Sequence, residues 1–321
     1  MAQNLTITTF NVENLFNRYA FLDTPWDSRN YENFVQAIGL VSVAGRQGDL
    51  VSYETTAIQR NNTAQAILDA KPDLLAVQEV ENLYTLRIFN DTYLDNYFDR
   101  ILLIDGNDPR GIDVGLMIRK GFSGRIANIR THVDEAIDGG SVRHGTARNF
   151  GYLAYKALFS RDCLEVDIET GKQTLTLLVN HLKAQDDSKT SAARRAKQAA
   201  RVAELADDAA KAGRLPIVLG DLNVDSTRDD TLAPLVDSPL LADPFPAGTW
   251  THFYAYNPKG KRTSRLDYIL PHKSLEVTAT DIVRKGLTTK CKEYDGPRYP
   301  TVGLEHTEAS DHCPVSVTIK L

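Results

Sequence analysis

The chain has 321 residues, of which 42% are hydrophobic and 25% charged, and its formal net charge at pH 7 is −5. This composition is typical of a globular protein large enough to form a stable core without disulfide bonds. The acidic balance argues against a protein that coats nucleic acid through bulk positive charge. It does not exclude a nuclease with a local basic rim and a bound metal ion.

The cysteines and the apolar runs narrow the class further. Cys163, Cys291 and Cys313 form no Cys-x-x-Cys pair, which argues against a zinc knuckle. We expect each to be a buried apolar side chain, and one disulfide bond stays open as an alternative. No apolar run reaches the length of a transmembrane helix. No signal peptide is visible at Met1, so both a cytoplasmic protein and a secreted one that has lost its leader stay open.

Predicted strands and helices alternate along the chain, which indicates an α/β fold. Apolar residues recur at helical spacing in 56–70, and Ser188 and Gly213 are typical boundaries for a second helix at 188–212. The run 74–78 is apolar throughout, as in a strand buried on both faces. The other predicted strands are 5–11, 101–104, 114–119, 124–130, 152–160, 163–168, 173–180, 216–219, 250–256, 266–270, 275–283 and 314–321.

Two long segments lack a clear period. The first is an insert at about 23–53, and the second is 285–308, which is rich in Gly, Pro, Lys and Tyr. Loops of this length are uncommon unless they are functional or disordered. Nothing resembles a linker between domains, so we predict a single domain over residues 1–321.

Polar residues stand where several predicted strands end. Glu79 follows the apolar run 74–78, and Asn11 and Asp311 lie beside the first and last strands. Oxygen ligands of this kind suit a hard divalent cation, so these three residues are the candidate metal ligands. The alternative for Glu79 is an exposed carboxylate before a helix that begins at Asn82.

His312 is the candidate general base. Its imidazole titrates near neutral pH, and a carboxylate bonded to its other nitrogen would fix the tautomer and raise the basicity. Asp267 is the proposed partner because it interrupts an apolar strand pattern, and buried acids need partners. The alternative for Asp267 is a structural ion pair with Arg265.

Two further strand-end motifs supply phosphate and water contacts. Asp221 and Asn223 follow the strand at 216–219 and share one side of an extended segment. His181 and Lys183 follow the strand at 173–180 in the same way, and a cationic donor pair suits a phosphate oxygen. Each motif also has a non-functional alternative. Asp221 and Asn223 could form a turn after the strand, and His181 and Lys183 could be a solvated strand end. Arg148, in a Gly-rich stretch with Arg143 and His144, is a further candidate substrate contact.

Other basic residues are weaker candidates. The cations of the long helix, among them Arg194, Arg195 and Arg201, are interpreted as a solvated face paired with acidic neighbours. The segment 285–308 combines Lys and Arg with Tyr294 and Tyr299, which suits a substrate rim or a lid. His132, His252 and His272 are interpreted as structural or exposed.

Together, and in this order, the motifs resemble the endonuclease/exonuclease/phosphatase superfamily, the fold of pancreatic deoxyribonuclease and the apurinic endonucleases. The resemblance extends from Asn11 to His312 and is greatest for bacterial and extracellular nuclease-type members. It implies a four-layered α/β sandwich of two mixed β-sheets flanked by helices. It also implies a metal at Asn11, Glu79 and Asp311, phosphate and water contacts at His181, Asp221 and Asn223, and water activation by His312 with Asp267.

The sequence therefore predicts a metal-dependent phosphodiester hydrolase, with nucleic acid as the first substrate class. A phosphatase or phosphodiesterase acting on a small-molecule or lipid phosphate is the alternative, and a non-catalytic binding protein comes last. Mg²⁺ or Mn²⁺ is the expected cofactor, with Ca²⁺ a third candidate. We expect a monomer with no membrane span and no obligate protein partner.

Overall fold

The computed structural model describes residues 4–21, 50–108, 110–142, 156–171, 173–186, 188–256, 262–303 and 306–321. Most of the predicted insert lies outside these residues, as do Arg148 and the beginning of the strand predicted at 152–160. The described strands are β1 (Asn4–Leu15), β2 (Asn17–Phe21), β3 (Leu50–Glu54), β4 (Leu74–Val80), β5 (Phe98–Leu103), β6 (Asp113–Arg119), β7 (Arg125–Arg130), β8 (Cys163–Thr170), β9 (Gln173–His181), β10 (Leu215–Asp221), β11 (His252–Phe253), β12 (Thr263–Ser264), β13 (Asp267–Pro271), β14 (Glu276–Ile282) and β15 (Val315–Lys320). The described helices are α1 (Ala57–Ala70), α2 (Leu83–Tyr93), α3 (Lys189–Lys211) and the short α4 (Ala233–Val236).

Two mixed sheets form the centre of the molecule. The larger has the strand order β14-β15-β1-β4-β6-β5, and the smaller has the order β13-β10-β9-β8-β7. Within the described residues, β1 with β4 and β9 with β10 are the parallel pairs, and the other pairs are antiparallel. The predicted α/β fold with two mixed sheets is confirmed. β2 and β3 pair with each other and bring the two ends of the insert together.

Alternating apolar side chains hold the layers together. Ile7 and Leu74 lie in the core between the two sheets, whereas Phe10 and Leu75, at positions of opposite parity, pack against the cluster that includes α1 and α2. On the far side, Val202 of α3 joins the cluster that covers the second sheet. Complete burial of such a side chain stabilises the fold by about 1.5–3 kcal/mol. The result is the expected order of layers, with helices outside two sheets.

The helix boundaries follow from capping. Thr56 and Gln59 form a reciprocal capping box at the start of α1, and Lys71 ends this helix in the left-handed conformation. The Ser188 side chain accepts a hydrogen bond from the backbone N–H of Ser191 in the first turn of α3. Gly213 follows the end of that helix with φ +75°. The predicted N-cap and stop of the long helix are therefore confirmed. No helix of the described residues is both long enough and apolar enough to cross a bilayer.

Two predicted elements differ from the structure. Residues 156–160 form no strand apart from a single bridge at Ala157, because consecutive residues 157–160 are buried without a partner strand. The strand predicted at 250–256 is reduced to the two residues of β11. The helix beginning at Asn82, which the sequence analysis named only in the alternative for Glu79, is present as α2 and is capped by Asn82. The described part of 285–308 is irregular, as predicted, and all three cysteines are buried free thiols.

Candidate active site

The predicted polar motifs meet at the carboxyl ends of the parallel strands β1, β4, β9 and β10. In the smaller sheet they stand in one row, since His181 pairs in register with Asp221, and Asp221 pairs with Asp267. In the larger sheet Asn11 pairs with Gln78, the residue before Glu79. Side chains from both sheets therefore point into one cleft. Ligand sites in α/β proteins commonly lie at this edge of a sheet.

Gly220 allows β9 and β10 to approach closely just before the row begins. It adopts φ +136°, and a Cβ placed there would overlap the carbonyl oxygen of Asn180, its partner in the register. A larger residue would force the two strands apart. His181 and Asp221, the next pair along, would separate with them.

Several site residues adopt the left-handed conformation, which is uncommon for residues other than glycine. Glu79 has φ +64° and lies at a register shift between β4 and β6. Asn223 has φ +55° directly after β10, and Glu13 and Asn14 have φ +50° and +56° at a register shift of β1. Bulges of this kind turn side chains out of the sheet, and such strained positions cluster at functional sites.

His312 and Asp267 form the predicted pair. Asp267 is fully buried, and its carboxylate accepts a hydrogen bond from Nδ1 of His312 at 2.9 Å. That bond assigns the proton to Nδ1 and leaves Nε2 facing the cleft, 3.8 Å from Asp221. Burial opposes the charged imidazole, but Asp267, Asp221 and Asp311 together raise the pKa of His312 well above its usual range.

Asp221 lies at the centre of the row and contacts both sheets. Its carboxylate accepts a hydrogen bond from the Asn11 side chain at 3.0 Å and another from the Asn223 backbone at 2.9 Å. Burial raises the pKa of Asp221 to about 6, although the charge of His312 opposes the shift. His181 Nε2 lies 3.5 Å from Asp221, and burial, with help from Arg161 and His312, keeps the pKa of His181 well below its usual range.

A group of carboxylates lies beside this row. Glu79 accepts a hydrogen bond from the Asn14 backbone at 3.2 Å, and its other oxygen lies 3.8 Å from His181. Glu13, which sequence reasoning missed, accepts the backbone N–H of Asp311 at 3.0 Å. Burial and repulsion from Asp311, Glu308 and Glu79 raise the pKa of Glu13 well above its usual range. Carboxylates that repel one another in this way fit a hard divalent cation, which would neutralise them.

Nitrogen and oxygen donors converge most closely at two places in the described residues. One group combines His252, Asp311 and His312, and the other combines Asp221, Asp267 and His312. Neither includes Glu79 or Asn11, so the predicted ligand set of Asn11, Glu79 and Asp311 stays a prediction.

The cleft in front of these residues has a volume of about 920 Å³. Its charged lining contains more carboxylates than arginines, and arginines pair with some of the acids, as in Arg228 with Asp225 at 3.3 Å. A phosphate entering this cleft would meet negative charge. Positive charge added near Glu79 and Asp311 would reduce this repulsion.

His252 was interpreted from the sequence as structural or exposed, and it lies in the site instead. Its Nδ1 pairs with Ser264 Oγ at 2.9 Å, and its Nε2 lies 3.5 Å from the carboxylate of Asp311. Its ring centroid is 4.6 Å from that of His312. The two residues of β11 are too few to show the alternation of a strand in the sequence. Polar, apolar and polar side chains at His252, Phe253 and Tyr254 were the one local indication.

One predicted substrate contact, Lys183, is not brought into the cleft. Lys183 lines a neighbouring hollow, and its Nζ lies 3.8 Å from Asp186. The alternation with His181 fails because β9 ends at His181. Arg148 lies outside the described residues. The interpretation of the α3 cations as a solvated face is wrong for Arg195, which is buried and lines the cleft, whereas Arg201 does pair with Glu204.

Comparisons with known proteins agree with this architecture. The sequence profile described as "Endonuclease/Exonuclease/phosphatase family" matches residues 9–312. No curated protein sequence matches the chain significantly. The fold is similar to that of a family protein from Bacteroides thetaiotaomicron, with 15% identity, a TM-score of 0.60 and coverage of 100% of this chain and 99% of that one.

Two further solved structures are similar in fold. TDP2 from D. rerio is 16% identical, with a TM-score of 0.56 and coverage of 98% of both chains. The mannosyl-6-phosphatase Bt3783 from B. thetaiotaomicron is 15% identical, with a TM-score of 0.59 and coverage of 98% of this chain and 99% of that one. Similarity at this level of identity extends to the fold alone.

Proposed function

We propose that this chain, which belongs to the Endonuclease/Exonuclease/phosphatase family, is a divalent-metal-dependent phosphodiesterase that cleaves nucleic acid. The observation that carries the proposal is the position of the His312–Asp267 pair, whose free Nε2 faces the same cleft as Asp221 and Asp311. Hydrolysis of a phosphodiester needs an activated water and compensation for charge on the phosphoryl oxygens. This cleft brings groups suited to both tasks together.

In this proposal His312 activates the water. Asp267 holds the Nδ1 proton, so Nε2 is the atom that takes the proton from the water that attacks phosphorus. The surrounding carboxylates favour the charged imidazole, as the raised pKa of His312 indicates. Positive charge near Asp311 and Asp221 would lower that pKa and free Nε2 to act as a base.

Glu79, Asp311 and Asn11 are proposed to hold the cation, with Glu13 as an additional carboxylate. Their oxygen donors suit Mg²⁺ or Mn²⁺, and Ca²⁺ is a third candidate. A bound ion of this kind neutralises charge on a phosphoryl oxygen. Glu13 and Glu79 are held by backbone hydrogen bonds with Asp311 and Asn14, so the chain positions these donors itself.

The remaining residues of the row are proposed to bind and orient the phosphate. His181 is neutral at pH 7 because its pKa is lowered, so it can donate one hydrogen bond to a phosphoryl oxygen. The Asn223 amide lies at the end of β10 and is a second candidate donor. Asp221 is proposed to orient the attacking water or to protonate the leaving oxygen, since its pKa is about 6. Arg148 remains a predicted substrate contact, whereas Lys183 lines the neighbouring hollow and is not proposed to contact the phosphate.

Nucleic acid is the proposed substrate because arginines line the acidic cleft and an exposed tyrosine, Tyr254, stands at its mouth. The similar TDP2 from D. rerio was solved with a single-stranded DNA product. A small phosphate ester is the second candidate, since the acidic lining disfavours a long polyanion and the similar Bt3783 is a mannosyl-6-phosphatase.

A substrate panel tests the proposal. Supercoiled plasmid DNA, single-stranded DNA, RNA and mannose 6-phosphate would each be incubated with the protein and Mg²⁺, and again with EDTA. The proposal expects cleavage of a polynucleotide that EDTA abolishes. Hydrolysis of the sugar phosphate alone would replace it with the second candidate, and cleavage that persists in EDTA would contradict metal dependence.

A further inference from the structure

A strip of aromatic rings leads from the active site to the rim of the cleft. We define the aromatic strip as His252, Tyr254 and Tyr256. The centroids of His252 and Tyr254 are 6.5 Å apart with an interplanar angle of 19°, and those of Tyr254 and Tyr256 are 6.0 Å apart. At the inner end, the ring centroids of His252 and His312 are 4.6 Å apart.

Backbone pairing fixes the strip to the site. The alternation of an extended chain directs His252 and Tyr254 to one side and the buried Phe253 to the other. Phe253 packs with Leu287, Cys291 and Cys313, and its backbone N–H donates to the carbonyl of Asp311 at 2.9 Å. The Tyr254 N–H donates to Arg262 at 2.8 Å. The position of the first two rings is therefore set by the same loop that carries Asp311.

Among the residues that the structure describes, no packing into a buried cluster explains the positions of Tyr254 and Tyr256. Tyr254 is 51% exposed and Tyr256 is 69% exposed. In the described part of the chain, neither hydroxyl makes a side-chain hydrogen bond, and neither ring belongs to a buried apolar cluster. Tyr254 lines the cleft directly. Large rings left open beside a site indicate contact with a ligand.

Cations flank the same strip. The Lys290 ammonium lies 5.5 Å from the centre of the Tyr256 ring, and Arg262 lines the cleft while its guanidinium lies over Phe253. Exposed rings with cations beside them match the two parts of a nucleotide. A ring stacks on a base, and a cation pairs with the phosphate that follows.

We infer that the aromatic strip binds unpaired nucleobases beside the phosphate that is cleaved, so that the protein prefers single-stranded or locally unpaired nucleic acid. Stacking on Tyr254 and Tyr256 requires an open base face, and the faces of paired bases inside a duplex are covered by their neighbours. This inference rests on the proposed function, because it assigns the substrate class of that cleft. A sugar ring is the competing occupant, and the test below separates the two.

The test measures binding separately from cleavage. Fluorescence anisotropy would follow a labelled phosphorothioate oligothymidylate, which resists hydrolysis, in the presence of Mg²⁺. A matched oligomer with abasic residues keeps the backbone and lacks the bases. The proteins would be the wild type, Tyr254→Ala, Tyr256→Ala, Tyr256→Phe and Tyr84→Ala. Tyr84 is the control because it is 66% exposed on α2 and does not line the cleft.

We expect Tyr254→Ala and Tyr256→Ala each to weaken binding of the oligothymidylate by about 5- to 100-fold. Binding of the abasic oligomer should change by less than about twofold, and Tyr256→Phe and Tyr84→Ala should bind as the wild type does. Equal losses for both oligomers would overturn the inference in favour of a sugar–phosphate contact. Unchanged binding in both alanine variants would overturn it outright.

A separate assay keeps this result apart from the proposed function. Hydrolysis of a small phosphodiester that bears no base would be measured in parallel for the same variants. If the wild type hydrolyses it and the tyrosine variants lose no affinity for the oligothymidylate, the inference fails while the phosphoesterase activity stands. If the wild type hydrolyses no phosphodiester, the proposed function fails, whatever the binding data are.

Discussion

Two charged clusters of this protein differ in how well their acidic groups are paired with cations. The first, called here the ion-pair network, lies on β7, β8 and nearby loops, where Glu165 contacts Arg130 at 2.5 Å, Arg214 at 3.1 Å and His132 at 3.1 Å. Burial opposes ionisation there, but the cations lower the pKa of Glu165 to about 2, and the carboxylates raise that of His132 to about 9. In this network each arginine contacts two carboxylates, since both Arg130 and Arg214 pair with Glu165 and with Asp167.

The active site reverses this arrangement. Burial raises the pKa of Asp221 to about 6, and burial together with repulsion from Asp311, Glu308 and Glu79 raises that of Glu13 well above its usual range. Matched charges stabilise a fold, whereas unmatched charges destabilise it until a ligand neutralises them. Burial raises carboxyl pKa values in both clusters, but cations overcome it at Glu165 and do not overcome it at Asp221 and Glu13.

The strongest test of the contrast removes the base. His312→Gln keeps a hydrogen-bond donor near the buried Asp267 but has no titrating nitrogen. We expect turnover of the active substrate to fall by about 10²- to 10⁴-fold, because general base catalysis is lost, with the melting temperature little changed. His272→Ala is the matched control, since His272 contacts Ser274 away from the cleft. Turnover of His312→Gln close to that of the wild type would refute the role of His312.

The ion-pair network should show itself in the pH dependence of stability. The pKa of His132 is about 9 in the folded protein, against 6.5 for an unperturbed histidine. Protonation of His132 therefore stabilises the folded state fully below pH 6.5, and this stabilisation is lost as the pH rises towards 9. The loss is at most about 3 kcal/mol in the free energy of unfolding. Urea denaturation between pH 6 and pH 10 would measure it. His132→Ala should flatten this pH dependence, and an unchanged slope in that variant would assign the effect to other groups.

Metal affinity tests the unmatched cluster directly. Glu79→Gln removes one carboxylate at the bulge of β4, and we expect the Mg²⁺ concentration for half-maximal activity to rise by about 10-fold or more. Glu81→Gln is the control, because this neighbouring acid does not line the cleft. Titration of activity with Mg²⁺ gives the comparison. Equal shifts in the two variants would indicate a general loss of negative charge and no specific ligand at Glu79.

The smallest expected effect is a gain in stability. Glu13→Gln removes a half-buried charge that Asp311, Glu308 and Glu79 repel, yet keeps an acceptor for the Asp311 N–H. We expect the free energy of unfolding at pH 7 without divalent metal to increase by about 1 kcal/mol. The added stability from Mg²⁺ should become smaller. A destabilised variant would show that Glu13 has a structural role, and thermal melts with and without Mg²⁺ decide the matter.

The strand-end residues could be predicted because an apolar run that stops at a polar residue is visible in the sequence. Glu79 after 74–78 and Asp221 after 216–219 are of this kind, and the structure places both at the ends of buried strands. Asp267 was found because an acid interrupts an apolar strand, and the pairing in the structure agrees.

The remaining features depend on tertiary structure that no local pattern carries. Glu13 is half-buried and lies at a register shift of β1 with φ +50°, and positive φ values at ordinary residues leave no trace in a sequence. His252 is placed by a strand of two residues that pairs across a loop. The position of Lys183 could not be predicted from alternation. Alternation holds only while the strand continues, and β9 ends at His181.

The position of β15 has a consequence for synthesis of the protein. This strand lies between β14 and β1, so one side of β1 stays without its partner strand until the much later β15 has been synthesised. The loop before β15 also carries Asp311 and His312. A nascent chain therefore lacks both residues until β14 and the loop after it have been translated. Incomplete chains left by stalled ribosomes would be unable to hydrolyse phosphate esters by the proposed route.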